Sequence, residues 1–245
     1  MDKAWIEDVK RIVYIAEKDI RIYFFKGPNL TFGLLLPVVL YLAFAIGRTV
    51  DLALAIPGLV AMAAFFGAGA IQAISLPLER RTGTFNTLLT APLSLSAIIL
   101  GKALAGFFFG TVLSLAYTSI MMLFSPLPNL PLFFLGILFS SLVFSTFGLF
   151  LSAPFRDIPE AMPPATVVRI AMVFICGVFT PIETMPTALQ TVAYALPLTY
   201  SVDALRQAMG DSINIQTFFT DLIIQILYSI VFLIATIKIL ERNIE

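Results

Sequence analysis

Residues 76–102, LPLERRTGTFNTLLTAPLSLSAIILGK, concentrate the polar chemistry of an otherwise apolar chain. Glu79, Arg80 and Arg81 are charged, and Gly83-Thr84 opens a segment of helical spacing. The hydroxyls of Thr82 or Thr84 could accept from free first-turn N–H groups. Phe85, Leu88 and Leu89 then fall on one face at i, i+3 and i+4, and Pro92 marks the stop. Two readings fit these residues: a short helix set apart from the long apolar runs, or an ordinary membrane loop whose arginines fix topology. Neither is catalytic. The chain has no histidine and one cysteine, Cys176, so Ser-His-Asp, Cys-His and HExxH arrangements and His- or Cys-rich metal sites are excluded. Catalytic residues and metal ligands are expected to be absent.

The elements around this segment must be membrane helices. The chain is 59% hydrophobic and 12% charged, with mean hydropathy +0.97, too little polar surface for a soluble globule. Its formal net charge is zero, which gives no footprint for nucleic acid. The first 29 residues carry charges throughout, so no cleavable signal peptide is expected. Within residues 4–24, Trp5, Val9, Ile12, Ala16, Ile20 and Tyr23 recur at helical spacing, with Ile6, Val13 and Phe24 widening the stripe. This pattern predicts an amphipathic helix lying in the membrane interface. Gly27-Pro28-Asn29 is expected to break it.

An N-terminal interfacial segment, 1–29, therefore precedes a transmembrane domain, 30–245. A helix needs about 20 apolar residues to cross the hydrocarbon. Six spans are predicted, at about 30–47, 54–76, 97–124, 132–153, 165–180 and 219–238. With both termini cytoplasmic, Lys3, Lys10, Arg11, Lys18, Arg21, Lys26, Arg80, Arg81, Lys102, Arg156, Arg169, Lys238 and Arg242 fall on the inner side. Only Arg48 and Arg206 fall outside, thirteen of the fifteen basic residues against two.

Inside the spans ionisable groups are scarce. Lys102 and Arg169 are placed close enough to the inner ends to snorkel, and Asp221 near the outer end of the sixth span. No mid-membrane carboxylate suggests an ion-coupled carrier. Gly67, Ala68 and Gly69 in the second span, and Gly136, Ser140, Ser141, Ser145 and Gly148 in the fourth, suit close helix packing within the chain. Residues 181–218 are too apolar for a solvated loop. Pro181, Pro186 and Pro197 divide them into pieces too short to cross.

Two stretches carry a family resemblance. Leu78-Glu79-Arg80-Arg81-Thr82-Gly83-Thr84, then Leu88-Leu89-Thr90-Ala91-Pro92 and Gly101-Lys102, resembles the loop after the second helix of ABC-2-type transporter permeases, the daunorubicin-resistance-like exporters among them. CGVFTPIETMPTALQTVAYALPLTYSVDALRQAM, from Cys176 to Met209, is similar to that family's outer region. The resemblance implies an all-α integral membrane protein of six transmembrane helices with three additions: the N-terminal interfacial helix, a cytoplasmic coupling helix at about 82–92, and outer re-entrant helices at about 181–218. It implies that Glu79, Arg80, Gly83, Thr84, Phe85, Leu88, Leu89 and Pro92 meet a separate ABC ATPase subunit, which binds ATP and Mg. This chain has no GxxxxGK[ST] of its own. It implies pairing with a second permease, identical or paralogous, and an outer gate containing Pro181, Glu183, Pro186, Pro197, Tyr200, Asp203 and Arg206. Phe107, Tyr117, Phe144 and Phe147 are candidates for lining the path, with Phe108 and Phe109 beside them.

The resulting expectation is the permease subunit of an ATP-driven exporter. It would sit in the plasma membrane of a prokaryote and move an amphipathic drug, a lipid or a lipid-linked glycan. A gradient-driven carrier, and a membrane recruiter of an ATPase that moves nothing itself, remain open alternatives.

Overall fold

The computed structural model describes residues 2–24, 27–46, 52–91, 93–124, 128–210 and 213–244, and the described residues form helices joined by short turns. In chain order they are α1 (Asp2–Asp19), α2 (Gly27–Ala45), α3 (Leu52–Thr82), α4 (Thr84–Thr90), α5 (Leu95–Met121), α6 (Leu130–Ser152), α7 (Ile158–Ile175), α8 (Thr187–Tyr194), α9 (Pro197–Met209) and α10 (Ile215–Ile244). A π-helical turn, Ile20–Phe24, continues α1, and a single 3₁₀ turn, Ile182–Thr184, precedes α8.

Five stretches are long and apolar enough to cross a membrane: Ala55–Thr82, Leu95–Met121, Leu130–Ser152, Ile158–Ile175 and Ile215–Asn243. The described apolar part of α2, Gly33–Ala45, is shorter. Several ends differ from the sequence expectation. The first helical stretch ends at Phe24, ahead of Gly27, and Gly27 and Pro28 open α2, where Pro at the first turn loses no hydrogen bond. α7 starts seven residues before Ala165, because Asp157 Oδ1 accepts from the Ile158 amide at 2.7 Å and Pro159 fits the first turn. The helix that was expected to end near Leu76 runs on through Pro77 to Thr82.

α3 is the central helix. Its residues from Ala55 to Gly69 are buried, and α2, α5, α6, α7 and α9 all pack on it. Small residues make this possible, as the sequence suggested. A Cβ on Gly110 of α5 would lie 2.6 Å from Ala68 Cβ, and one on Gly67 would lie 3.4 Å from the Gly110 Cα. On the other side, a Cβ on Gly148 of α6 would run into the Gly69 carbonyl. With backbones this close, dispersion and side-chain-to-carbonyl hydrogen bonds replace the hydrophobic drive that lipid does not provide. Ser145 Oγ donates to Ala103 O at 2.7 Å, Ser152 Oγ to Gln72 O at 3.2 Å, and Gln72 Nε2 to Lys102 O. These bonds knit α3, α5 and α6 at one end of the bundle. Aromatic rings fill the wider space, with Phe65 against Phe144 at 4.8 Å and Phe147 against Phe232 at 5.2 Å.

Candidate functional site

The segment that concentrates the polar chemistry is a helix–turn–helix junction, α3 to α4. Gly83 joins them with φ 75°, a left-handed conformation in which only glycine avoids the clash of Cβ with the backbone. The threonines act differently from the expectation. Thr82 Oγ1 donates to Leu78 O at 2.9 Å and Thr84 Oγ1 to Glu79 O at 3.3 Å. They satisfy the last carbonyls of α3 rather than the first amides of α4, which has no side-chain cap. Gly83→Ala is expected to cost about 1 kcal/mol through φ alone, since a Cβ there would have open space around it. Hydrogen exchange of amides 84–90 should quicken in this variant. Unchanged exchange would show that the junction does not hold α4.

α4 does not turn its apolar face outward. Phe85 is buried, and Leu88 and Leu89 pack with it against Ile15, Leu76, Ile98, Ile99 and Leu240. The family resemblance gave these three side chains to a partner; in the fold Phe85 is buried in the chain's own bundle, while Leu88 and Leu89 pack on it and stay partly exposed. The exposed side of the junction is polar, formed by Arg81, Thr82, Thr84, Asn86, Thr87 and Thr90. Their signal in the sequence was the complementary stripe of α4. Pro92 lies outside the described residues.

The three charges of the segment separate into three roles. Arg80 Nη1 donates to Ala153 O at 3.0 Å and Phe155 O at 2.7 Å, satisfying carbonyls at the end of α6. Its guanidinium lies 5.7 Å over the Phe85 ring. Arg81 is exposed and pairs with Asp157 at 3.5 Å, a contact worth little in water. Glu79 is fully buried. It therefore cannot touch a docked subunit, which corrects its assignment to the contact set.

Glu79 instead belongs to a buried ion cluster that the sequence reading missed. Lys18 Nζ lies 2.6 Å from Glu79 Oε1 and 2.9 Å from Asp19 Oδ1. Lys102 Nζ lies 2.7 Å from Glu79 Oε2 and 3.0 Å from Asp19 Oδ2. Tyr23 donates to Glu79 Oε1 at 3.4 Å. Lys102 does not snorkel; α1, α3 and α5 enclose it completely, and two carboxylates compensate its charge. Two cations and two anions cancel, and so the cluster can survive burial. Burial works against the Lys18 ammonium, yet the adjoining Asp19 and Glu79 carboxylates hold its pKa above the ordinary lysine range. Burial, and after it the Glu79 charge, pushes the Tyr23 phenol up, so it stays a neutral donor. The sequence did contain a signal: Asp19 falls on the same stripe as Ile12, Ile15, Ala16 and Ile20, a charge on the face of α1 that turns to the bundle. Arg169 is likewise buried and does not snorkel, its Nε donating to Ala165 O at 2.9 Å in its own helix.

At the far end, α8 and α9 fold back over the bundle. Pro197 opens α9, whose Leu198, Val202, Ala204, Leu205 and Ala208 are buried among α3, α6 and α10. Tyr200 donates its hydroxyl to Tyr194 O at 2.6 Å, and Tyr228 of α10 donates to Ala195 O at 2.9 Å. Pro181 is half-buried, and Glu183 and Pro186 are exposed. Glu183, Asp203 and Arg206, given to the outer gate, form no ion pair with one another among the described residues. Arg206 Nη2 donates to Gly177 O instead, because Gly177, at φ 81°, turns its carbonyl region toward α9. Burial raises the Asp203 pKa; nearby Arg206 opposes this and Glu183 reinforces it.

The path candidates divide. Tyr117, Phe144 and Phe147 are buried inside the chain's own core, Tyr117 donating its hydroxyl to Leu34 O. Side chains enclosed in one protomer cannot line a passage between two, which corrects their assignment. Phe107 is half-buried, Phe108 is exposed and Phe109 is buried.

Long apolar helices around a small-residue core, with a buried ion cluster at one end, define a multi-pass membrane protein. The description of the ABC-2 type transporter family matches residues 18–209, and the chain belongs to that family. Relatives include the probable multidrug ABC transporter permease YbhR of Escherichia coli, 26% identical over 62% of this chain and 42% of its own length. The putative transport permease ycf38 of Cyanophora paradoxa is 33% identical over 61% and 53%. Nodulation protein J of Rhizobium leguminosarum bv. trifolii is 28% identical over 72% of each. The chain spans about half the length, or less, of the first two. Two of these relatives carry permease in their names, and ABC-2 family members are transmembrane components of transport systems.

Proposed function

We propose that the chain is the membrane subunit of an ATP-driven exporter whose energy comes from a separate ATPase docked on α4. The observation that carries this reading is the division of α4: its apolar face holds it to α3 and α5, while its outward face is a row of hydroxyl and amide groups beside the Arg81 guanidinium at the end of α3. A push on that outward face passes into α3, the helix on which the others pack, without any reactive group being needed. In this reading α2 is a sixth span, both termini lie on the α4 side, and α8–α9 re-enter the membrane from the opposite side. The burial of α9 by α3, α6 and α10 supports the last point, because backbone at membrane depth needs protein cover. Two such chains pair around the path. The cargo is amphipathic, a drug, lipid or lipid-linked glycan, in line with the described surface of the spans and with the relative named as a multidrug permease.

Retention of the cognate ATPase on the detergent-purified permease tests this directly. Thr87→Trp places a large ring on the exposed face of α4 and touches no buried neighbour. It should lower retention by about tenfold or more, as loss of a central interface contact does, with thermal stability unchanged. If the wild type holds no ATPase with or without nucleotide, the reading fails. Glu79→Lys would be a poor probe, since it puts three cations against one anion inside the buried cluster.

A further inference from the structure

A cavity of about 340 Å³ lies on the bundle-facing flank of α4, lined by Arg80, Phe85, Asn86, Leu89, Arg156 and Asn243. Four elements meet there: the end of α3, α4, the α6–α7 turn and the end of α10. Among the described residues two guanidiniums and two carboxamides line it, and no carboxylate does. Arg80 spends only Nη1 on the α6 carbonyls, which leaves Nε and Nη2 without an acceptor among the described residues. Arg156 is exposed and makes no hydrogen bond or ion pair among them. Asp157, the acid beside Arg156 in the chain, pairs with Arg81. Two like charges at one cavity repel until an anion comes between them. Planar guanidinium forks match the oxygens of a phosphate.

Depth identifies the carrier of that phosphate. α10 has 30 residues, about 45 Å of helix against a hydrocarbon core of about 30 Å. Apart from Asp221 near its start, its charges, Lys238, Glu241 and Arg242, gather in the last two turns, where the helix leaves the hydrocarbon. Asn243 therefore stands at headgroup level, and Arg156 follows the end of α6 by four residues. The apolar part of the lining, Phe85 and Leu89, suits a ligand whose oxyanion is joined to hydrocarbon.

We infer that this cavity binds the phosphate of an anionic membrane lipid from the leaflet on the α4 side. The lipid would bridge Arg80 and Arg156 and so tie α4 to the α6–α7 turn and to α10. The site is independent of whether an ATPase docks.

Native mass spectrometry of the purified chain with added short-chain phosphatidylglycerol, phosphatidylcholine or inorganic phosphate tests the inference. The wild type should retain one phosphatidylglycerol more tightly than phosphatidylcholine. Arg156→Glu should weaken that binding by about tenfold or more, while Lys238→Gln, an exposed cation outside the cavity, should not. Arg156 is exposed, so its replacement leaves the fold intact; equal thermal stability without lipid checks this. Equal phosphatidylglycerol binding by wild type and Arg156→Glu would overturn the inference. So would full competition by inorganic phosphate, which would make the site one for a soluble anion. Loss of the ATPase in Arg156→Glu with lipid binding unchanged would assign the pair to an acidic protein partner and would also overturn it.

Discussion

Lys102→Met should be the most damaging single change in this chain, costing about 3–5 kcal/mol, the range for breaking a buried ion pair from one side. Lys102 is fully enclosed and touches Asp19 and Glu79 at 3.0 and 2.7 Å. Methionine fills nearly the same volume, so packing is conserved and the loss is electrostatic. Two buried carboxylates would then share only Lys18, whose side chain keeps 32% exposure. Adding Glu79→Gln restores neutrality, with Lys18 facing Asp19 alone. The double variant should regain at least half of the lost stability in detergent unfolding, a non-additivity that simple loss of contacts would not produce. If Lys102→Met unfolds like the wild type, the cluster does not hold α1 to the bundle.

The second large effect is expected at Gly148, where two forces oppose each other. Alanine is favoured over glycine in a helix by about 1 kcal/mol, and Gly148 lies inside α6. A Cβ there would meet the Gly69 carbonyl and come within 2.9 Å of both the Gly69 Cα and the Gln72 Cβ. Those atoms belong to the central helix, and backbone cannot step aside as a side-chain tip can. Packing should therefore win. Gly148→Ala should destabilise the protein despite its better propensity, and Gly148→Val should do so by about 3 kcal/mol, the upper end of the overpacking range. Thermal unfolding in detergent of the two variants decides the matter. An alanine variant as stable as wild type would mean that α3 and α6 can move apart freely.

The outcome at α4 shows where reading a sequence stops. Gly83, the threonines and the Phe85–Leu88–Leu89 spacing announced a short helix in the right place. They could not say which way it would face. An apolar stripe of three residues suits a partner's groove or the chain's own core equally well. The choice fell to Ile15, Leu76, Ile98 and Ile99, which come from three other helices. Phe144 and Phe147 were misplaced for a related reason: helical phase alone does not tell a lipid-facing phenylalanine from a path-lining or core one.

The sequence by itself determined what depends on neighbours three or four residues away, or on composition. That includes the membrane class, the apolar stretches that become α3, α5, α6, α7 and α10, the amphipathic period of α1 and the short helix that starts at Thr84. It also revealed the small residues through which α3 approaches α5 and α6. Only the tertiary structure decided the pairing of charges. Lys18 meets Glu79 across 61 residues, and Lys102 meets Asp19 across 83. A lysine in a span can snorkel or be neutralised, and the difference depends on whether two carboxylates from other helices arrive beside it. Packing brings them there, because α1 seats Ile15 against Gly101 of α5 and so carries Asp19 to Lys102.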